Sequence, residues 1–249
     1  MDLTNLEPDV TSAPPRLVVY GPQGSGKTTF AAQAPATIFM DIEDGLHGIK
    51  SAKQRVKNWG EVLEMITALH QQEHKFKTLA VDTIDWLERL IHTDVALNNN
   101  VNAIDDIPYG RGFNYAVSHW ETFLKGMTSL RDNKSMTIIL LAHDKIKRFD
   151  DPMTDGYDRY MLKLHDKAGA LVQEWADGVL FMKGKTFIKT EKSGFSEKKK
   201  GVDGGVYLHT TETPAYQAKH RTALALPDEF PVSEKNSWGD FVAAIGSRK

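Results

Sequence analysis

"VVYGPQGSGKTTF" spans residues 18–30. Three apolar residues lead in, helix-forming residues lead out, and a glycine-rich loop lies between them. Gly21, Gly26, Lys27 and Thr28 satisfy the spacing G-x-x-x-x-G-K-[ST], in the strand–loop–helix context that this spacing requires. Backbone N–H groups in such a loop turn inward around phosphate oxygens, and the helix N-terminus adds partial positive charge. Gly21, Pro22, Gln23, Gly24, Ser25, Gly26, Lys27, Thr28 and Thr29 therefore form the expected cradle for a nucleotide, with ATP and Mg²⁺ as its ligands. Lys27 is expected to bridge the β- and γ-phosphates, and Thr28 to offer its hydroxyl to the metal.

Outward from the loop, apolar runs alternate with helical patterns. "RLVVY", "TIFMDIE", "TLAVDT", "MTIILLAH" and "GVLFMK" read as strands. "WGEVLEMITALHQQ" carries Val62, Ile66 and Leu69 at helical spacing, and Ile84, Leu87, Ile91 and Val95 recur likewise. "NYAVSHWETFLKGMTSLRD" and "HDKAGALVQEWA" are further helices, and residues 98–112 and 144–164 are polar stretches. Strands alternating with helices argue a mostly parallel central sheet flanked by helices, and the last third reads as C-terminal hairpins. Residues 1–15 are polar and end in "APP", so they read as a flexible arm before one domain covering 16–249.

The chain has 249 residues and a formal net charge of -2, so no global basic field points to nucleic acid, and any such site is local. It has no cysteine, which excludes disulfides and thiolate chemistry. The first residues show no signal-peptide pattern, and no apolar run is long enough to span a membrane. The expected setting is the cytoplasm.

Asp82 ends the apolar run "TLAV", where a carboxylate at a parallel strand tip points into the ligand crevice. It is expected to organise Mg²⁺ with Thr28. A helix cap is the other use of an Asp there, and Thr83 competes for that role.

"GPQGSGKTTF" followed by "FMDIEDG" resembles RecA-type ATPases. The resemblance implies that Glu43, in Asp41-Ile42-Glu43, is the general base that deprotonates the attacking water. It implies that His143, at the end of "TIILLAH", senses the γ-phosphate. Lys219 and Arg221 of "AKHRTALALP" resemble a pair that reaches across a subunit interface to the neighbour's phosphate, which implies a homo-oligomer with shared active sites. On the residues alone, Glu43 could end a strand in a polar loop, His143 could bond a backbone carbonyl, and the basic pair could lie in solvent.

The whole chain resembles phage-encoded RecA-like ATPases of the "Sak" single-strand-annealing type. The stretches that carry this include "YGPQGSGKTTFAAQAP", "TLAVDTIDWLERLI", "YGRGFNYAV", "ILLAHDKIKRFDDP" and "YDRYMLKLHDKAGALVQEWAD". It implies a RecA-like P-loop NTPase core and a DNA-stimulated ATPase in recombination, in the host cytoplasm. A single-stranded-DNA-binding protein is the implied partner. Residues 144–164 then offer Lys145, Lys147, Arg148, Phe149, Arg159, Tyr160 and Lys163 to single-stranded DNA, diluted by Asp144, Asp150, Asp151, Asp155 and Asp158. Arg111, beside Tyr109, is a second contact. Lys198, Lys199 and Lys200 read as a solvated hairpin tip. Two other functions share the loop: a nucleotide-gated loader without DNA dependence, and a small-molecule phosphotransferase.

Overall fold

A computed structural model describes residues 13–150, 155–193 and 196–247, with side chains described outside 186–203. Residues 1–12 of the expected arm and the lysine run 198–200 lie outside the described residues or side chains. Pro15 is already tied to the domain, because its carbonyl accepts from the Ile138 N–H.

The elements in chain order are β1 (Arg16–Tyr20), α1 (Lys27–Ala32), β2 (Thr37–Asp41), β3 (Ala52–Arg55), α2 (Trp59–Gln71), β4 (Thr78–Asp82) and α3 (Ile84–Asn98). Then come α4 (Arg111–Lys134), β5 (Thr137–Ala142), β6 (Asp144–Phe149), β7 (Tyr157–Leu162), α5 (Asp166–Trp175) and β8 (Gly178–Ser193). The chain closes with β9 (Ser196–His209), β10 (Lys219–His220), β11 (Glu229–Val232) and α6 (Ser237–Ala244).

The main sheet runs β11-β9-β8-β1-β5-β4-β2-β3, with β10 beside β8. The strands from β3 to β8 pair in parallel, and β9, β10 and β11 pair antiparallel. This is the mostly parallel, helix-flanked sheet expected from the sequence, with antiparallel strands on its C-terminal side.

Burial on both faces explains the near-continuous apolar strands. Val18, Tyr20, Leu79, Val81, Ile138 and Leu140 point to one face, where α2, α3, α4 and α5 pack. Leu17, Val19, Ala80, Ile139 and Leu141 point to the other, against Phe30 of α1 and Phe241 of α6. The alternation follows from the two-residue period of a strand.

Three elements differ from the sequence reading. β3 has the sequence "AKQR" and lies mostly exposed on the sheet edge, so it carries no apolar signal. α6 occupies part of the expected hairpin region, and Trp238 and Phe241 pack on Phe30. The polar stretch 144–164 is an antiparallel hairpin, β6–β7, rather than an open loop.

At the end of the sheet where β1 and β8 begin, Asp177 gathers three arginines. It accepts from the Arg16 backbone N–H and from Arg16 Nε and Nη2 at 3.0, 3.2 and 2.9 Å. Arg131 of α4 stands 3.6 Å away and Arg221 3.1 Å. Burial pushes the Asp177 carboxyl up, but the Arg16 bonds and the charges of Arg16 and Arg221 outweigh it and hold it below its ordinary value. One carboxylate thus fastens β1, α4 and the segment after β10. Asp177→Ala is expected to lower stability by roughly 2–4 kcal/mol, because the mostly buried Arg16 loses its carboxylate and Arg131 and Arg221 each lose one ion pair. Urea unfolding at neutral pH measures it, and a loss under about 0.5 kcal/mol, the size of an ordinary surface change, would contradict it.

Candidate active site

Parallel register brings the catalytic candidates together. Tyr20 of β1 lies opposite Ala142 of β5, Asp82 of β4 opposite Leu141, and Asp41 of β2 opposite Asp82. The residues that follow those strand ends, Gly21, His143, Thr83 and Glu43, therefore emerge along one edge of the sheet. That edge is where open α/β sheets hold ligands.

The loop after β1 is shaped by close approach. A Cβ on Gly21 would stand 2.1 Å from the Met182 carbonyl oxygen, so no larger residue fits there. Gly24 and Gly26 take φ of 76° and 96°, and α1 begins directly at Lys27.

Lys27 is only 6% exposed. Its Nζ donates to the carbonyls of Gly21 and Pro22 at 2.8 Å each. Burial lowers its pKa, opposed by the charges of Asp82, Asp144, Asp85 and Glu43. Among the described residues, Ser25 Oγ is buried without a hydrogen-bond partner. A buried cation held by neutral carbonyls, an orphaned hydroxyl and a glycine cradle fit a phosphate chain.

Thr28 Oγ1 donates to Asp82 Oδ2 at 2.9 Å. Burial pushes the Asp82 carboxyl up to about 6, against the Thr28 bond, with Glu43 and Asp41 adding repulsion and Lys27 opposing it. A hydroxyl beside a carboxylate that crowds other acids fits Mg²⁺, whose charge relieves that crowding. Asp82 is not the helix cap, because Thr83 holds that position on α3. Asp82 and Thr83 are joined by a cis peptide bond.

The acids after β2 divide by their contacts. Asp41 accepts from the Asp44 N–H and pairs with Arg55 at 3.5 Å, which is a structural role. Glu43 is half-buried, and its backbone N–H and that of Ile42 both donate to the Asp82 carbonyl. Its Oε2 accepts from Thr83 Oγ1 at 3.3 Å, and its Oε1 stands 4.0 Å from His143 Nε2. Glu43, Lys27, Thr28, Asp82 and His143 all line one cleft of 320 Å³. A neighbouring cleft of 350 Å³ shares Gly24, Gly26 and Thr29 with it and adds Met182, Val206, Val232 and Glu234. The two flank the phosphate loop.

His143 bonds a carboxylate, not a backbone carbonyl. Asp85 of α3 accepts from the His143 backbone N–H at 3.1 Å and meets Nδ1 at 3.0 Å. One helical turn on, Glu88 receives the His165 N–H on both oxygens at 3.0 Å. The hairpin β6–β7 thus leaves His143 and returns to His165 with both roots fastened to α3. Neither acid stood out in the sequence, since each sits in a helix that reads as an amphipathic core element. Their phase offered a signal: Asp85 and Glu88 fall beside the buried Ile84, Leu87 and Ile91.

The expected DNA residues separate. Lys147, Arg148, Phe149, Lys163 and Arg111 are exposed. Lys145 is half-buried and donates to the Leu164 carbonyl. Arg159 and Tyr160 turn inward, contrary to expectation. Arg159 is 5% exposed, pairs with Glu212 and donates to the carbonyls of Thr213 and Tyr216. Tyr160 stacks on Phe181 and takes a hydrogen bond from Lys183. Arg111 lies 5.9 Å from the ring centroid of Tyr109, which is 96% exposed.

Lys219 and Arg221 lie away from the cleft. Lys219 pairs with Val179 and His220 with Gly178, at the start of β8, and the cleft is at the opposite strand ends.

A family model described as an AAA domain matches residues 13–222. The crystal structure of the RadB recombinase aligns over 90% of this chain and 90% of its own, at 13% identity and a TM-score of 0.49. No curated protein sequence matches.

Burial pushes the Glu88 carboxyl up to about 7, against the His165 N–H and the charge of Lys145, with Asp85 adding repulsion. The folded state therefore binds this proton more tightly than the unfolded chain. Glu88 leaves stability highest below its ordinary carboxyl range and reduces it as pH rises through about 7. Glu88→Gln keeps an acceptor for the His165 N–H and removes the titration. The variant is expected to be more stable than the parent at pH 8, by on the order of 1–3 kcal/mol, and equal to it near pH 4. Denaturant midpoints across pH 4–8 test this, and parallel curves for the two proteins would refute it.

Proposed function

The chain belongs to the AAA domain family, and from that membership we propose that it is a Mg²⁺-dependent ATPase whose hydrolysis is coupled to single-stranded DNA. The observation that carries hydrolysis is the placement of Glu43. It is a carboxylate in the same cleft as the buried Lys27 cation and the Thr28–Asp82 pair, and the Asp82 carbonyl fixes its backbone. Glu43 takes a proton from water as the water oxygen bonds to the γ-phosphorus. The bond from the γ-phosphorus to the bridging oxygen breaks, and its electron pair stays with ADP. Lys27 and the inward N–H groups of the loop hold the phosphate oxygens. Thr28 and Asp82 would hold Mg²⁺, which would supply charge neutralisation for the phosphate chain. The second cleft, with Met182, Val206 and Val232 on its walls, takes the nucleoside.

The hairpin supports the DNA side of this reading. It starts at the residue after His143 and exposes Lys147 and Arg148 beside Ile146 and Phe149. The Lys147–Asp166 and Arg148–Asp150 pairs are solvent-exposed, so phosphate oxygens can replace those carboxylates at little cost. The recombination setting, with a single-stranded-DNA-binding protein as partner and annealing as the outcome, rests on the sequence resemblance described above. In an oligomer with shared sites, Lys219 and Arg221 serve the neighbouring cleft, and Arg221, 55% exposed, must first leave Asp177.

Glu43→Gln is expected to retain the thermal stabilisation given by Mg·ATP and to lose phosphate release by a factor of about 10² or more. Undiminished release in this variant would remove Glu43 from the chemistry.

Replacing Lys147 and Arg148 together by alanine is expected to flatten the dependence of log affinity for an oligo-dT strand on log salt. The change is about 0.7 in slope for each lost phosphate contact. A slope equal to that of the parent protein would place the DNA elsewhere.

A further inference from the structure

Asp85 is nearly buried, with 3% side-chain exposure, and has no place in the hydrolysis derived above. Its two oxygens do two things. Oδ1 accepts from the His143 backbone N–H at 3.1 Å, and Oδ2 meets Nδ1 at 3.0 Å. The ring is therefore held at its backbone and at one nitrogen, and its other nitrogen, Nε2, is left directed to Glu43 at 4.0 Å inside the phosphate cleft. We propose that Asp85 is a positioning residue for hydrolysis, clamping His143 so that Nε2 stands beside Glu43 and the terminal phosphate as a hydrogen-bond donor. This rests on the ATPase reading of the same cleft.

The clamp also fixes the state of the ring. Burial pushes Asp85 up, but the bonds from His143 and the His143 charge outweigh it, so Asp85 stays ionised and can only accept. Nδ1 must then carry hydrogen. The groups facing His143 are Asp85 from α3, Glu43 after β2 and Lys27 from α1. The Asp85 bond, foremost, and the Asp85 and Glu43 charges raise the pKa of His143, while burial and Lys27 oppose. Asp144, next along the chain, acts on Lys27. A second proton on Nε2 makes the ring a cation beside the phosphoryl group as its charge develops. A neutral ring with hydrogen only on Nδ1 would present a bare nitrogen, which repels phosphate oxygens.

The test compares the parent protein with Asp85→Asn, Asp85→Glu and His143→Gln. NMR of the full chain without nucleotide follows the imidazole signals across pH, and His143→Gln assigns the relevant one. In the parent, His143 is expected to titrate above 6.5, with Nδ1 protonated even in the neutral form. In Asp85→Asn its midpoint falls by about one unit or more. ATP turnover then follows the same proton: the alkaline limb of kcat moves to lower pH in Asp85→Asn, with KM changed by less than about threefold. Asp85→Glu restores part of both shifts. A parent midpoint at or below 6.5 overturns the inference, and so does an unchanged midpoint in a folded Asp85→Asn. If Asp85→Asn fails to fold, the parent midpoint alone decides. A parent protein that releases no phosphate sinks the ATPase reading, while the titration still judges the clamp.

Discussion

Everything in the cleft depends on the order in which the parallel strands lie. β5 sits between β1 and β4, and β2 lies beyond β4, although β2 follows β1 in the chain. That order sets the phosphate loop next to His143, His143 next to Asp82, and Asp82 next to Glu43. The parallel hydrogen-bond register then levels the strand ends, because each pairing fixes which residue exits where. A one-residue slip of β4 against β2 would turn Asp82 to the other face and move its carbonyl away from the N–H groups of Ile42 and Glu43. The core resists such a slip. Val81 and Leu79 face one layer of helices, Ala80 faces the other, and a slip would exchange them.

Within that frame, charge is balanced around a hole of the right sign. Lys27 is buried on two carbonyls, and Asp82, Asp85 and Glu43 surround it at longer range. Burial foremost, with repulsion from Glu43 and Asp41 added to it, is why Asp82 titrates high. A divalent cation removes that repulsion at Asp82, and a polyphosphate supplies the anion that Lys27 lacks. The cleft is thus better satisfied with metal and nucleotide together than with either alone.

Much of this was legible in the sequence because local rules agree there. The glycine spacing, the apolar run before it and the helix after it all point to one loop, and Asp82 and Glu43 end apolar strands. The hairpin was not legible as a hairpin. Residues 144–149 carry charge on four of six positions and residues 157–162 on two of six, and the roots at His143 and His165 are held by acids distant in sequence. β3 is silent for the same reason: an exposed edge strand needs no apolar alternation. Arg159 shows the limit of composition. It lies among basic and aromatic residues in sequence, yet Glu212 and two carbonyls draw it inside. Contacts more than fifty residues away cannot be read from a local run.

The two acids of α3 show how one helix face can hold opposite electrostatic states. Asp85 and Glu88 are three residues apart, so they share a face and feel each other's charge. Both are buried, and both bond a backbone N–H at a root of the hairpin. They differ in what else they meet. Asp85 faces a protonatable ring and stays charged, whereas Glu88 has one N–H divided between its oxygens and a distant Lys145, and it titrates near neutrality. A buried acid pair relieves its repulsion by protonating the member with weaker partners. The charge therefore stays at the root beside the cleft, and the proton settles at the root far from it.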